Sequence, residues 1–236
     1  MTTNGILLPK LANQLREAGL KRVNIHLDSL HPGRLQRLMR FGTVEEIWSG
    51  IEAAERAGLR PIKLNVVVTR SYNDEDIVEL ARLTLTRDWH VRFIELMPLG
   101  GGEEARIAVS HFLSNEETLQ RIQSSLGLLE AVPSAHPSDE AVYYRVRGAR
   151  GLIGLISPVS RPYCGTCNRM RLTADGKLHL CLLHDDELDL RELLRSGATV
   201  AQLAELIRLG VKRKPTGHAL NQGVSPEERS MYQIGG

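Results

Sequence analysis

The chain has 236 residues and a mass of 26.3 kDa, enough for one large domain or two small ones around a buried core. Its 42% apolar and 25% charged residues exclude disorder, and 30 basic against 28 acidic side chains leave +2, so no global field argues for nucleic acid or an anionic membrane. No apolar run approaches the roughly 20 residues of a membrane span, the opening MTTNGILLPK lacks a leader pattern, and three cysteines are too few and too clustered for a disulfide framework; the expectation is a soluble protein of the reducing cytoplasm.

A helix is expected at about residues 8–18, ending at Gly19. Residues 21–28 then alternate with period two, Val23, Ile25 and Leu27 against Asn24, His26 and Asp28, and 61–69 repeat the pattern with Ile62, Leu64 and Val66 against Lys63 and Asn65. Residues 90–97, HVRFIELM, form a third strand-like run. Between these strands, Thr43 and Glu46 have capping-box spacing, with Gly58 as the stop, and Asn73 is placed to cap a helix carrying Ile77, Leu80 and Ala81. Such alternation implies a parallel sheet with right-handed crossovers. Helices must cover the apolar positions, which leaves amides, a cation and a carboxylate on the opposite face. An ordinary eight-stranded barrel fills that face with branched apolar side chains, so a wide, polar, ligand-holding interior is expected. The plainer alternative is a solvated face on an incomplete sheet. TTNG at 2–5 resembles the end of a strand turning into a helix, and three strands cannot close a barrel, so preceding sequence is expected to be missing or supplied by another chain. Dimerisation is one way to bury the open edge.

From about residue 104 the pattern changes. Ser114 and Glu117 cap a helix through Leu126, and short strands are expected at 142–146, 151–156, 169–173 and 177–182, arranged as antiparallel hairpins. Two helices follow, at about 189–196 and 200–209, and the tail 211–236 has little periodicity. All three cysteines lie here, as Cys164, Cys167 and Cys181 in a C-x2-C-x13-C spacing. With His179 or His184 as a fourth ligand they would make a structural zinc ribbon. With no fourth ligand they suit a [4Fe–4S] cluster with one iron open to substrate. Three unligated core cysteines are the remaining reading, the one the spacing favours least. Arg169 and Arg171 follow at strand spacing, with Arg161 and Lys177 beside them. Arginine forks beside a metal centre suit a polyphosphate or carboxylate; standing alone they would read as a solvated basic strand.

The runs TTNG at 2–5, VNIHLDSL at 23–30, IKLNVVV at 62–68, RFIELMPLG at 92–100, GLIGLISPVS at 151–160, CGTCNRMRLTADGKLHLCL at 164–182 and YQIGG at 232–236 together resemble the GTP 3′,8-cyclases of molybdenum cofactor biosynthesis, radical S-adenosylmethionine enzymes. The resemblance covers the whole chain. It implies an α/β fold: residues 1–103 as the last strand–helix units of an incomplete six-unit barrel, and 104–236 as a smaller α+β domain with an antiparallel sheet, a cluster, a GTP site and a Gly-Gly tail. It implies a lyase that converts GTP to (8S)-3′,8-cyclo-7,8-dihydroguanosine 5′-triphosphate, with GTP as substrate and no nucleic acid or membrane partner. By matching motif, Cys164, Cys167 and Cys181 would hold the second [4Fe–4S] cluster. Thr2, Lys63, Arg169, Met170 and Arg171 would line the GTP site, His26 and Met97 the S-adenosylmethionine site, and Gly235 and Gly236 would be a catalytic tail. The strand pattern independently puts His26, Lys63 and Met97 on the inner face. Two departures stand out. His26 replaces the family's usual Ser, and the C-x3-C-x2-C motif for the first cluster is absent. S-adenosylmethionine and the first cluster are therefore expected only in a full-length protein, and this chain alone is expected to be inactive. The rival readings are another radical enzyme with an auxiliary cluster, and a zinc-ribbon binding or assembly module on a half barrel.

Overall fold

The computed structural model describes residues 1–39, 41–134, 136, 138–220, 226–229 and 233–234. In chain order the elements are β1 (Thr2–Thr3), α1 (Leu8–Glu17), β2 (Val23–His26), α2 (Pro32–Leu38), α3 (Val44–Arg56), β3 (Ile62–Val68), α4 (Ile77–Thr86), β4 (His90–Glu95), α5 (Gly102–Ser110), α6 (Asn115–Leu126), β5 (Leu129–Val132), β6 (Ala141–Val146), β7 (Leu152–Ile156), a 3-10 turn (Cys164–Thr166), β8 (Arg171–Leu172), β9 (Lys177–His179), β10 (Glu187–Asp189), α7 (Leu190–Arg195) and α8 (Val200–Arg213). They divide into two compact units, one of residues 1–96 and 111–158, the other of 97–110 and 159–236.

The first unit is a mixed α/β layer built on a seven-stranded sheet of order β1-β2-β3-β4-β7-β6-β5. β1 to β4 and β7 are parallel neighbours, and β6 and β5 add on antiparallel. The period-two reading of β2 and β3 holds: Val23, Ile25, Ile62, Leu64, Val66 and Val68 are buried and the residues between them half-buried. The buried face packs on Ile47, Ile51 and Ala54 of α3 and on Ile77, Leu80 and Ala81 of α4. α3 starts where the capping box puts it, the Thr43 side chain accepting from Glu46 N–H and the Glu46 side chain from Thr43 N–H. Asn73 does not cap α4. Its carboxamide accepts from Thr69 N–H at 2.8 Å and donates to the Asp28 and Val67 carbonyls, so it ties β2 and β3 at their C-terminal ends. The expected hairpin of β6 and β7 is present, but β7 also pairs in parallel with β4. That pairing carries residues 111–158 into the first unit, so a division at 103/104 does not coincide with the compact units.

The second unit has a three-stranded antiparallel sheet of order β10-β9-β8. Leu178, Leu180 and Leu188 form its core, with Met170, Leu190 and Leu206 against them. The strands are shorter than the sequence pattern predicts: β8 keeps two residues and β9 three. Arg169 therefore precedes the strand, and alternation does not set its direction. Among the described residues no helix is long and apolar enough to cross a membrane.

Candidate functional site

The exposed-side register of the first sheet puts polar residues in rows. Thr2, Asn24, Lys63 and His90 are successive partners across β1 to β4, and His26, Asn65, Arg92, Gly154 and Tyr143 across β2, β3, β4, β7 and β6. Parallel in-register pairing brings neighbouring side chains on one face together. Asn24 Nδ2 donates to Thr2 Oγ1 at 3.3 Å, and Arg92 Nε donates to Asn65 Oδ1 at 2.9 Å. Arg92 is only 4% exposed, with Glu140 3.5 Å away. Gly154 makes room for it: a Cβ there would lie 3.0 Å from both Arg92 Cγ and Tyr143 Cε1. Burial and the neighbouring Arg92 charge lower the pKa of Lys63. Burial, then Lys63 and Arg92, push His90 down to about 4. The face is a concentration of positive charge with a neutral imidazole in it. His26 stands apart from that logic. Burial pulls its pKa down, but the 2.7 Å hydrogen bond and the charge of Asp28 outweigh this and leave it raised. Asp28 is fixed in turn by Val67 N–H at 2.8 Å.

In the second unit the cysteines occupy one neighbourhood. Cys164 and Cys167 bound the 3-10 turn, Cys167 N–H donating to the Cys164 carbonyl at 3.1 Å, and Cys181 follows β9. All three thiols are free and half-buried. Burial raises the pKa of Cys164, and the charges of Cys181 and Cys167 raise it further, against Lys214. Lys214 Nζ also donates to the Arg169 and Leu180 carbonyls at 2.8 and 3.0 Å, locking the cysteine loop to the end of β9. Arg171 lies in register with His179, which lies in register with Glu187. His179 is 2% exposed; its Nδ1 is 3.2 Å from Glu187 Oε1, and its Nε2 has no partner among the described residues. His184 Nε2 is 2.8 Å from the Gly217 carbonyl.

The structure thus puts Thr2 and Lys63 in one row and His26 in the next in the first unit; in the second, Cys164, Cys167 and Cys181 are near one another, Met170 lies on the adjoining core, the Arg169 backbone is tied by Lys214 to Leu180, and Arg171 is in register with His179. Met97 stands two residues past the end of β4, so strand alternation does not carry it onto the polar face; by parity it continues the Phe93 and Glu95 series. Gly235 and Gly236 lie outside the described residues. His90, Arg92 and Tyr143 are the members that sequence reasoning missed. The period-two signal for the first two was present from residue 90 onward, whereas Tyr143 reaches them only through long-range pairing. Among the described residues, the group of metal-competent side chains whose ligand atoms all lie within 4.8 Å of one another is His31, Asp76 and Glu79, and the three cysteines are not such a group. Asp76 there is already occupied by Ser29 and Arg34.

Residues 1–84 match the family model described as Radical SAM superfamily, and residues 89–220 match Molybdenum Cofactor Synthesis C. A protein of Heliobacterium modesticaldum named GTP 3′,8-cyclase is 45% identical over 241 residues, covering 100% of this chain and 72% of the relative. One of Moorella thermoacetica with the same name is 45% identical over 236 residues, again with 100% and 72% covered. One of Trichormus variabilis, also so named, is 42% identical, with 100% and 73% covered. The chain belongs to the GTP 3′,8-cyclase family of radical S-adenosylmethionine proteins.

Proposed function

We propose that the chain is the GTP-binding part of a GTP 3′,8-cyclase, acting in the first step of molybdenum cofactor biosynthesis in the reducing cytoplasm. The observation that supports this most is the nearness of three free, half-buried thiols, with burial and then the charges of Cys181 and Cys167 raising the pKa of Cys164, in the unit that also carries Arg171 and the Arg169 loop. Three soft donors with no disulfide among them fit an iron–sulfur cluster. Cys164, Cys167 and Cys181 would hold it, and when bound it would supply an open iron for the guanine base. A structural zinc ribbon asks for a fourth ligand. His184 is engaged through Nε2 with a backbone carbonyl, whereas His179 has Nδ1 beside Glu187 and Nε2 without a partner among the described residues, so a ribbon with His179 as fourth ligand is the rival that metal content decides. S-adenosylmethionine chemistry calls for a C-x3-C-x2-C motif, and the cysteines of these 236 residues are Cys164, Cys167 and Cys181 alone. The residues here therefore do not fit a first cluster, and no step is assigned to it. The proposed S-adenosylmethionine contacts are His26 and Met97.

What this chain's own residues do is bind and orient the nucleotide. Arg169 and Arg171 present guanidinium forks to the triphosphate, while Met170 packs on the Leu178–Leu180–Leu188 core and holds the loop between them. Lys63 and Arg92 repel each other in a partly dry setting, and a polyanion relieves that repulsion. Thr2 offers a hydroxyl at the end of the same row, and Gly235 with Gly236 are proposed as the catalytic tail, where the lack of a Cβ would permit close approach to the substrate. The test is replacement of both Arg169 and Arg171 by Ala. Charge-assisted hydrogen bonds contribute about 1.5–3 kcal/mol each, so GTP affinity should fall at least about tenfold and lose part of its salt dependence, with iron content unchanged. Unaltered affinity would remove both arginines from the triphosphate site.

A further inference from the structure

The three cysteines lie on two separate stretches of chain, and one cation ties those stretches together. Cys164 and Cys167 bound the 3-10 turn and lead into Arg169, whereas Cys181 follows Leu180 just past the end of β9. Lys214 Nζ donates to the Arg169 carbonyl at 2.8 Å and to the Leu180 carbonyl at 3.0 Å. Both are hydrogen bonds from a charged donor, the stronger kind. The spacing of α8 delivers the ammonium there. Leu206, Gly210 and Lys214 recur every four residues, which puts them along one side of the helix. Leu206 packs on the Leu178, Leu180 and Leu188 core, and Gly210 is buried. A Cβ at Gly210 would lie 3.1 Å from a methyl carbon of each of those three leucines, so the bare glycine lets α8 sit directly on the small core. Lys214 comes one turn later, its backbone already extended ahead of Pro215. Gly217 adds a second hold on the same stretch: its carbonyl accepts from His184 Nε2 at 2.8 Å, and His184 N–H donates to the Cys181 carbonyl at 3.2 Å. The charge of Lys214 also acts on Cys164, against burial and the charges of Cys181 and Cys167. A cluster held by three thiolates is anionic and becomes more so on reduction, so a nearby ammonium favours it.

We infer that Lys214 is a positioning residue of the metal centre: bonded to the Arg169 and Leu180 carbonyls, it holds the loop of Cys164 and Cys167 to the strand end of Cys181 and sets a positive charge beside them. This rests on the reading of the three cysteines as ligands of an iron–sulfur cluster. No local pattern in the sequence reveals the tie, because its two partners lie 45 and 34 residues away.

The experiment uses the full chain loaded with iron and sulfide without oxygen, as wild type, Lys214→Met, Lys214→Arg and Lys212→Met, the last replacing an exposed cation of α8. The rate at which a ferrous chelator strips the iron and the reduction potential of the cluster are measured. Lys214→Met should lose iron about tenfold faster or more, since two charge-assisted hydrogen bonds are removed, and its potential should fall, since the more negative reduced form loses its cation. Lys214→Arg keeps the charge and should hold the potential near wild type, and Lys212→Met should match wild type in both readings. An unchanged rate in Lys214→Met, or a faster loss with the potential unmoved, would overturn the inference. Hydrogen exchange on the metal-free chains covers the case in which Lys214→Met takes up no cluster. Exchange should then rise in residues 168–172 and 178–182 and stay at wild-type values in 62–68 and 90–95; a rise in every segment, or in none, would overturn it. A wild type that takes up no iron would count against the cluster reading, while the exchange measurement decides the tie in either case.

Discussion

His90 is a base set among cations, and that placement has a consequence for stability. Its pKa is pushed to about 4 from an ordinary 6.5 by burial, Lys63 and Arg92. Between those values the unfolded chain binds the proton and the folded chain does not, so the folded state loses stability as pH falls from about 6.5 towards 4. The thermal midpoint of wild type should drop across that window, and His90→Asn should flatten the drop. An identical slope in the variant would show that His90 does not carry it. His26 acts in the opposite sense. Its folded pKa is raised, so its stabilisation is present below 6.5 and is lost as pH rises through the folded value; His26→Gln should remove that loss. Both residues illustrate what was legible. His26 and Lys63 could be put on the polar face from alternation alone, because each strand alternates without a break. His90 and Arg92 follow the same rule but sit in a run whose apolar content masks the alternation. Met97 fails it because the strand stops at Glu95.

At the scale of elements, local signals read well and long-range pairings did not. The boxes at Thr43 and the cap at Ser114 start α3 and α6 where the sequence puts them, since a cap is a contact between residues three apart. The parallel partnership of β4 with β7 joins residues separated by about sixty positions and left no local trace. A glycine inside α3 shows how packing overrides propensity. Ala at Gly50 would gain about 1 kcal/mol of helix propensity, but its Cβ would lie 2.1 Å from the Gly5 carbonyl oxygen. Backbone cannot swing aside as a side chain does. Overpacking costs about 1–3 kcal/mol and sometimes more, so Gly50→Ala should lower the thermal midpoint by several degrees at about 2–4 °C per kcal/mol for this chain length. A midpoint at or above wild type would show that the close approach of α3 to the Gly5 turn is relieved at no cost.

Across the whole molecule, chemistry is split between a unit that offers a cationic sheet face and a unit that offers three thiols. The sequence pattern exposes the thiols through their spacing, but the Lys214 link from the Arg169 carbonyl to the Leu180 carbonyl is visible only once the chain is folded. Cys181→Ser should abolish the proposed metal centre outright, since two thiolates three residues apart are left without their third partner; retention of full iron and sulfide would show that the ligand set is different. The most direct test of the account is the iron, zinc and sulfide content of the chain purified without oxygen, with its spectrum recorded with and without GTP. About four irons with matching sulfide per chain and a spectrum that GTP perturbs are expected. One zinc, no iron and no response to GTP would contradict it and make the cysteine loop a structural ribbon.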